Sequence, residues 1–203
     1  MARGKSDKRS HQRVDTSKEH YKLPLVWIKL RTSGLNVEVD KILEIACVIT
    51  DGKLKKLIEG PELVIHQTKD TRDNMGERCE DHRAANGLIE KVTQSTIREK
   101  EAEEQVIEFV KRHVSAYTPS LAGNSVYVDL MFLKKYMPDL ASLFSHVLVD
   151  VSSVNALCQR WFSADKMAPP KEKKHRAIDD IKESIAELKY YKEHVFKSAK
   201  SKR

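Results

Sequence analysis

Three strand-like runs fall within the first third of this chain, and they restrict its fold more than any other feature. Residues 24–30, "KILEIACVITD" (41–51) and "KLIEGPELVIHQ" (56–67) are rich in Leu, Ile and Val and bounded by turn residues. Asp51-Gly52 marks a tight connection between the second and third, which therefore read as a meander. The pattern then changes. "TIREKEAEEQVIEFVKRHV" (96–114) repeats Ala102, Val106, Phe109, Val110 and His113 at helical spacing. "SLAGNSVYVD" (120–129) reads as a short strand and turn that feeds a helix over "LMFLKKYM" (130–137). "HVLVDVSSV" (146–154) reads as another buried strand, opening a helix capped by Ser152 or Ser153. A last helix, 177–195, aligns Ile178, Ile181, Ile185 and Leu188 on one stripe. Polar "TKDTRDNMGERCEDHRAANG" (68–87) and "ADKMAPPKEKK" (164–174) read as loops. Strands first, then strands alternating with helices, specify an α/β fold with a mixed sheet packed by helices.

At 203 residues the chain is long enough for one α/β domain with a full core. That domain is expected over 21–197, between basic tails at 1–20 and 198–203 that read as disordered. No run approaches the ~20 apolar residues that cross a membrane, so a membrane partner is not expected. The first twenty residues lack the apolar stretch of a secretory signal and are too acidic for a mitochondrial presequence, which leaves a cytoplasmic or nuclear placement. Cys47, Cys79 and Cys158 are odd in number and widely spaced, against a disulfide framework or a zinc site. The net charge of +7 favours polyanions, nucleic acid first, although much of it sits in the tails.

Within "LVWIKLRTSGL" (25–35), Lys29 and Arg31 stand two apart and so leave a strand on one face. Asp129 sits where a strand is read to feed a helix, and Asp179 and Asp180 open the last helix just after His175. Two aspartates and a histidine on adjacent elements are the donor types that hold Mg²⁺ and a base for activating water. Acids in a helix's first turn are favoured by its dipole and need no catalytic duty, and from spacing alone that is the stronger explanation.

The blocks "ILEIACVITD", "LAGNSVYVDLMFLKKYMP", "VDVSSVNALCQRW" and "HRAIDDIKESIAELKYY", in that order, resemble the oligoribonuclease family of DEDDh-type 3′→5′ exoribonucleases. The resemblance implies an RNase H-like fold with a mixed five-stranded sheet, a homodimer, and two divalent metals held by four carboxylates beside a histidine general base. It assigns Asp129 and Asp180 to the third and fourth carboxylates and His175 to the base. The first two carboxylates belong to an Asp-x-Glu-x-Thr-Gly-Leu pattern, and here those positions hold Lys29 and Arg31. Substrate positions of the family fall at Leu35, Ser125 and His146, and near Arg78 and Arg83. Leu35 and Ser125 keep the family's residue type. The residues expected to stack on and cap the nucleotide have become Arg78, Arg83 and His146.

Exchanging two carboxylates for two cations changes the local formal charge by +4. Like charges ~4 Å apart repel by roughly 4 kcal/mol even at an effective dielectric of 20. Such a pocket is expected to pair its remaining acids internally, with Lys29 placed to provide one partner, and to have lost hydrolysis. No cofactor is expected in that case. The cations would still suit the phosphate of a short RNA or an RNA 3′ end, and the dimer surface would serve a homodimer or a heterodimer with an active family member. The alternative is an active exoribonuclease that degrades short oligoribonucleotides with Mg²⁺ or Mn²⁺.

Overall fold

The computed structural model describes residues 21–68, 82–114, 118–171 and 176–196, with the side chains of 82–86 outside that description. Five strands form one mixed sheet in the order β3-β2-β1-β4-β5. They are β1 (Leu25–Thr32), β2 (Ile42–Thr50), β3 (Leu57–Val64), β4 (Ser120–Gly123) and β5 (Leu148–Asp150). The pairings β1–β2 and β2–β3 are antiparallel, whereas β1–β4 and β4–β5 are parallel. All nine residues of β2 are buried, as expected of an unbroken apolar run covered on both faces. β3 lies at an edge and carries Glu59, Gly60, Pro61 and Glu62, residues that suit a protected edge. Gly60 has a packing reason: a Cβ there would lie 2.3 Å from Cε1 of the Phe109 ring.

Alternation along β1 divides the core. Val26, Ile28 and Leu30 enter one cluster with α2 (Glu99–His113) and α3 (Val126–Tyr136). Trp27 enters a second with Val151 of α5 (Val151–Trp161) and Ile178, Ile181 and Ile185 of α6 (Ala177–His194). The Trp27 indole N–H donates to Thr50 Oγ1 at 3.0 Å, satisfying the one polar atom of a fully buried ring. A single turn, α4 (Pro138–Ala141), follows α3.

Four boundaries differ from the sequence reading. The expected loop at 68–87 gives way to α1 (His82–Gln94), because Leu88, Ile89 and Val92 share a helical face that packs on Leu43. α3 starts at Val126 rather than at 130, after Ser125 adopts the left-handed conformation with φ 52°. Asp129 therefore projects from the first turn of a helix, not from a strand end. β5 lasts three residues, because the Asp150 carboxylate accepts the Ser152 N–H at 2.9 Å and starts α5 at Val151. The cap is Asp150, not Ser152 or Ser153.

Candidate functional site

The carboxyl ends of the parallel strands β1 and β4 open on a crevice, since the chain leaves β4 for α3 on one face and β5 for α5 on the other. Such ends are where open α/β sheets bind ligands. A cleft of about 250 Å³ is lined there by Lys29, Arg31, Leu35, Val128, Asp129, Phe132 and Asp180, among others. Its lining combines four charged side chains with apolar Leu35, Val128 and Phe132. Leu35 stands at the lip, 78 % exposed.

Asp129 is 3 % exposed. Lys29 Nζ lies 3.3 Å from each of its oxygens, and the Leu30 N–H donates to Oδ1 at 2.8 Å. Burial still pushes the Asp129 carboxyl above the usual carboxylate range, outweighing the Lys29 charge and the Leu30 N–H. Arg31 donates to Asp180 Oδ2 at 2.8 Å. Asp180 is about one-third exposed, so of the two paired acids only Asp129 is buried. The Arg31 Nε is buried and has no hydrogen-bond partner. Together these four side chains carry no net formal charge.

The N-terminus of α6, which carries Asp180, is tied down from the sheet. Glu44 of β2, opposite Arg31 in the β1–β2 register, accepts the backbone N–H of Ala177. Burial first and the Glu62 carboxylate second push the Glu44 carboxyl upward. Glu62 of β3 in turn pairs with Arg176. Nothing in the spacing of Glu44 or Glu62 marks this role, because their partners lie more than a hundred residues away.

A second cleft of about 700 Å³ shares Arg31 and Asp180 and runs between α5, α6 and residues 168–171. Its floor is a polar network: Glu187 binds Lys171 Nζ at 2.6 Å and Asn155 at 2.8 Å, and Asn155 also donates to the Tyr191 hydroxyl. Ser125 lies beside it, its N–H shared between Asp150 and Ser152 and its hydroxyl 3.0 Å from that of Ser152. Lys29, Arg31, Leu35, Asp129 and Asp180 thus converge, with Ser125 adjacent. His146 does not join them; it is exposed on the segment entering β5, at the other end of the strands. His175 and Arg78 lie outside the described residues, as does the side chain of Arg83.

A divalent ion needs several free oxygen donors at one point. Among the described residues no three His, Cys, Asp or Glu side chains converge in that way. The two carboxylates that face the first cleft are each held by a cation. This donor set does not fit a divalent metal.

The Exonuclease (RNase_T) family matches residues 26–188. Among curated proteins, the oligoribonuclease of Arabidopsis thaliana is 59% identical over 201 residues, covering 98% of this chain and 90% of that protein. The mitochondrial oligoribonuclease of Homo sapiens is 42% identical over 174 residues, covering 85% and 73% respectively. Among solved structures, exonuclease I of Methylocaldum szegediense aligns with a TM-score of 0.61 at 16% identity over 86% of this chain. A zinc-bound E. coli exonuclease I complex with single-stranded DNA aligns at 0.63 and 12% identity over 87%. The chain spans about two fifths of those two structures, which share its RNase H-like mixed five-stranded sheet. No described helix is long and apolar enough to cross a membrane.

Proposed function

This chain belongs to the oligoribonuclease group of the exonuclease family, and from that premise we propose that it keeps the family's fold while lacking two-metal hydrolysis. One observation carries the reading: both acids facing the cleft are neutralised by the chain's own cations, Asp129 by Lys29 and Asp180 by Arg31. Two-metal cleavage needs anionic oxygens that hold two dications ~4 Å apart, one beside the attacking water and one beside the leaving oxygen. Here an incoming dication meets an ammonium and a guanidinium instead. His175, at the general-base position, then has no activated water to serve.

What the centre retains is affinity for a phosphate. Arg31 keeps a buried Nε–H without a partner, and a guanidinium fork suits a terminal phosphate. Lys29, Arg78 and Arg83 add positive charge at substrate positions, Leu35 offers an apolar edge to a base, and Ser125 offers a hydroxyl. His146, remote from the cleft within one chain, serves it only across a dimer, with a second copy or with an active family member. The test is turnover: purified protein with labelled di- to pentaribonucleotides and Mg²⁺ or Mn²⁺, beside an Asp180→Ala control. The proposal expects no mononucleotide release above that control.

The second reading is an active exoribonuclease, and the 59% identity to a curated oligoribonuclease favours it. Lys29 and Arg31 are also partly exposed, 29% and 27%, so their side chains have room to turn out of the cleft. Turnover that disappears in Asp180→Ala would establish that reading and remove the first.

A further inference from the structure

The end of the sheet opposite the cleft is a basic corner that neither reading uses. Asp51 turns β2 into β3, its Oδ1 accepting the N–H groups of Lys55 and Lys56. Those hydrogen bonds, with Lys192 nearby, hold the Asp51 carboxyl below its usual range despite some burial. The Lys22 carbonyl accepts the Gly52 N–H, and the Lys192 ammonium donates to the Lys53 carbonyl. Lys22, Lys53, Lys55, Lys56 and Lys192 are therefore gathered at one corner, and all five are exposed. The acids within three residues of them in sequence are Glu19, Asp51, Glu59 and Glu193, and Glu59 is paired with Lys182. Leu23 and Phe196, 76% and 62% exposed, lie on the same two chain segments.

Both tails meet the fold there. Residues 1–20 hold six Lys and Arg against three Asp and Glu, and residues 197–203 hold four against none. That excess equals the chain's whole net charge of +7, so residues 21–196 are formally neutral. The chain enters at Tyr21, beside Lys22, and leaves at Phe196, one turn beyond Lys192. The described residues thus begin and end at a corner that is already basic.

We propose that this corner is a second nucleic-acid surface, binding the phosphate backbone of a single-stranded RNA longer than the cleft can hold. The proposal rests on the family membership for the choice of RNA among polyanions, and not on whether the centre cuts. Leu25 to Arg31 along β1 spans ~20 Å, and Asp180 to Lys192 along α6 about 18 Å. A strand stacked as in a duplex, rising about 3.4 Å per nucleotide, needs roughly six residues to cross that distance, and an extended single strand fewer. A dinucleotide in the cleft therefore does not touch the corner, whereas a longer strand reaches both. Exposed lysines neutralise phosphates without reading bases, and Phe196 offers a ring for stacking.

The test is fluorescence anisotropy of the full chain with a labelled RNA of about 20 nucleotides and a labelled dinucleotide, in EDTA, across a salt series. One variant carries Lys53→Glu, Lys55→Glu and Lys56→Glu. A control carries Lys91→Glu, Lys134→Glu and Lys166→Glu, an equal charge change elsewhere, and circular dichroism checks both folds. The hairpin variant should lose about tenfold or more in affinity for the long RNA at low salt, with its salt slope reduced by about 2. The control and the dinucleotide should change little. Equal loss in both variants overturns the proposal, as does a long RNA that the wild type does not bind. Binding to phosphatidylserine vesicles in place of RNA overturns it too. Because metal is absent throughout, turnover of short RNA in the separate hydrolysis assay leaves this result intact.

Discussion

Lys29 holds its ammonium 3.3 Å from both carboxylate oxygens of Asp129, on the same side chain that the Leu30 backbone N–H binds at 2.8 Å. A strand residue thus neutralises an acid a hundred positions away, in the first turn of α3. Asp129 is almost fully buried, so its charge depends on those two donors.

Lys29→Met removes the stronger of them. Breaking a buried pair from one side costs about 3–5 kcal/mol, and the partial exposure of Lys29 lowers this to about 2 kcal/mol at neutral pH. Urea denaturation should show that loss. The double variant Lys29→Met/Asp129→Asn should recover most of it, because a neutral amide oxygen still accepts the Leu30 N–H. Equal stability of Lys29→Met and wild type would show that the pair contributes nothing.

Glu44→Gln separates charge from capping, because a glutamine oxygen still accepts the Ala177 N–H. The folded-state pKa of Glu44 is raised by burial and by Glu62. Its proton therefore stabilises the fold fully below the unfolded value near 4.3 and ceases to do so as pH rises through the folded value. Stability curves between about pH 4 and pH 7 should show wild type losing ground to Glu44→Gln as pH rises. A difference independent of pH would contradict the account.

The strands around the cleft were legible because their signal is local. β1, β2 and β3 announce themselves by apolar runs and the Asp51-Gly52 turn, and the Lys29–Arg31 spacing put both cations on one face. Asp129 was found, but on the wrong element: its helix starts at Val126 through a left-handed Ser125, a backbone state that a serine does not advertise. α1 was hidden because a 3.6-residue stripe of only Leu88, Ile89 and Val92 is embedded in a charged segment. The partner of Arg31 and the ties from Glu44 and Glu62 to α6 were not legible, since each is a contact between distant segments that only the fold creates.

Thr50→Val tests the interior behind the site. It removes the acceptor of the Trp27 indole N–H, with both residues essentially inaccessible to solvent. An orphaned buried donor costs about 1–3 kcal/mol. A lowered urea midpoint with an unchanged slope is the expected result.

Gly60→Ala tests how α2 sits on the edge strand. The added methyl would fall within 2.3–2.7 Å of three atoms of the Phe109 ring. Overpacking of this kind costs about 1–3 kcal/mol. Adding Phe109→Leu should return part of the loss, and strict additivity of the two substitutions would show that they do not meet.

Ion pairs that occupy the place of a two-metal centre leave manganese no site to fill. Calorimetric titration of Mn²⁺ should show no saturable site on the wild-type chain. The double variant Lys29→Asp/Arg31→Glu, which gathers four carboxylates at the cleft, should bind two ions. Two ions bound by the wild type, and lost in Asp129→Asn, would contradict the account.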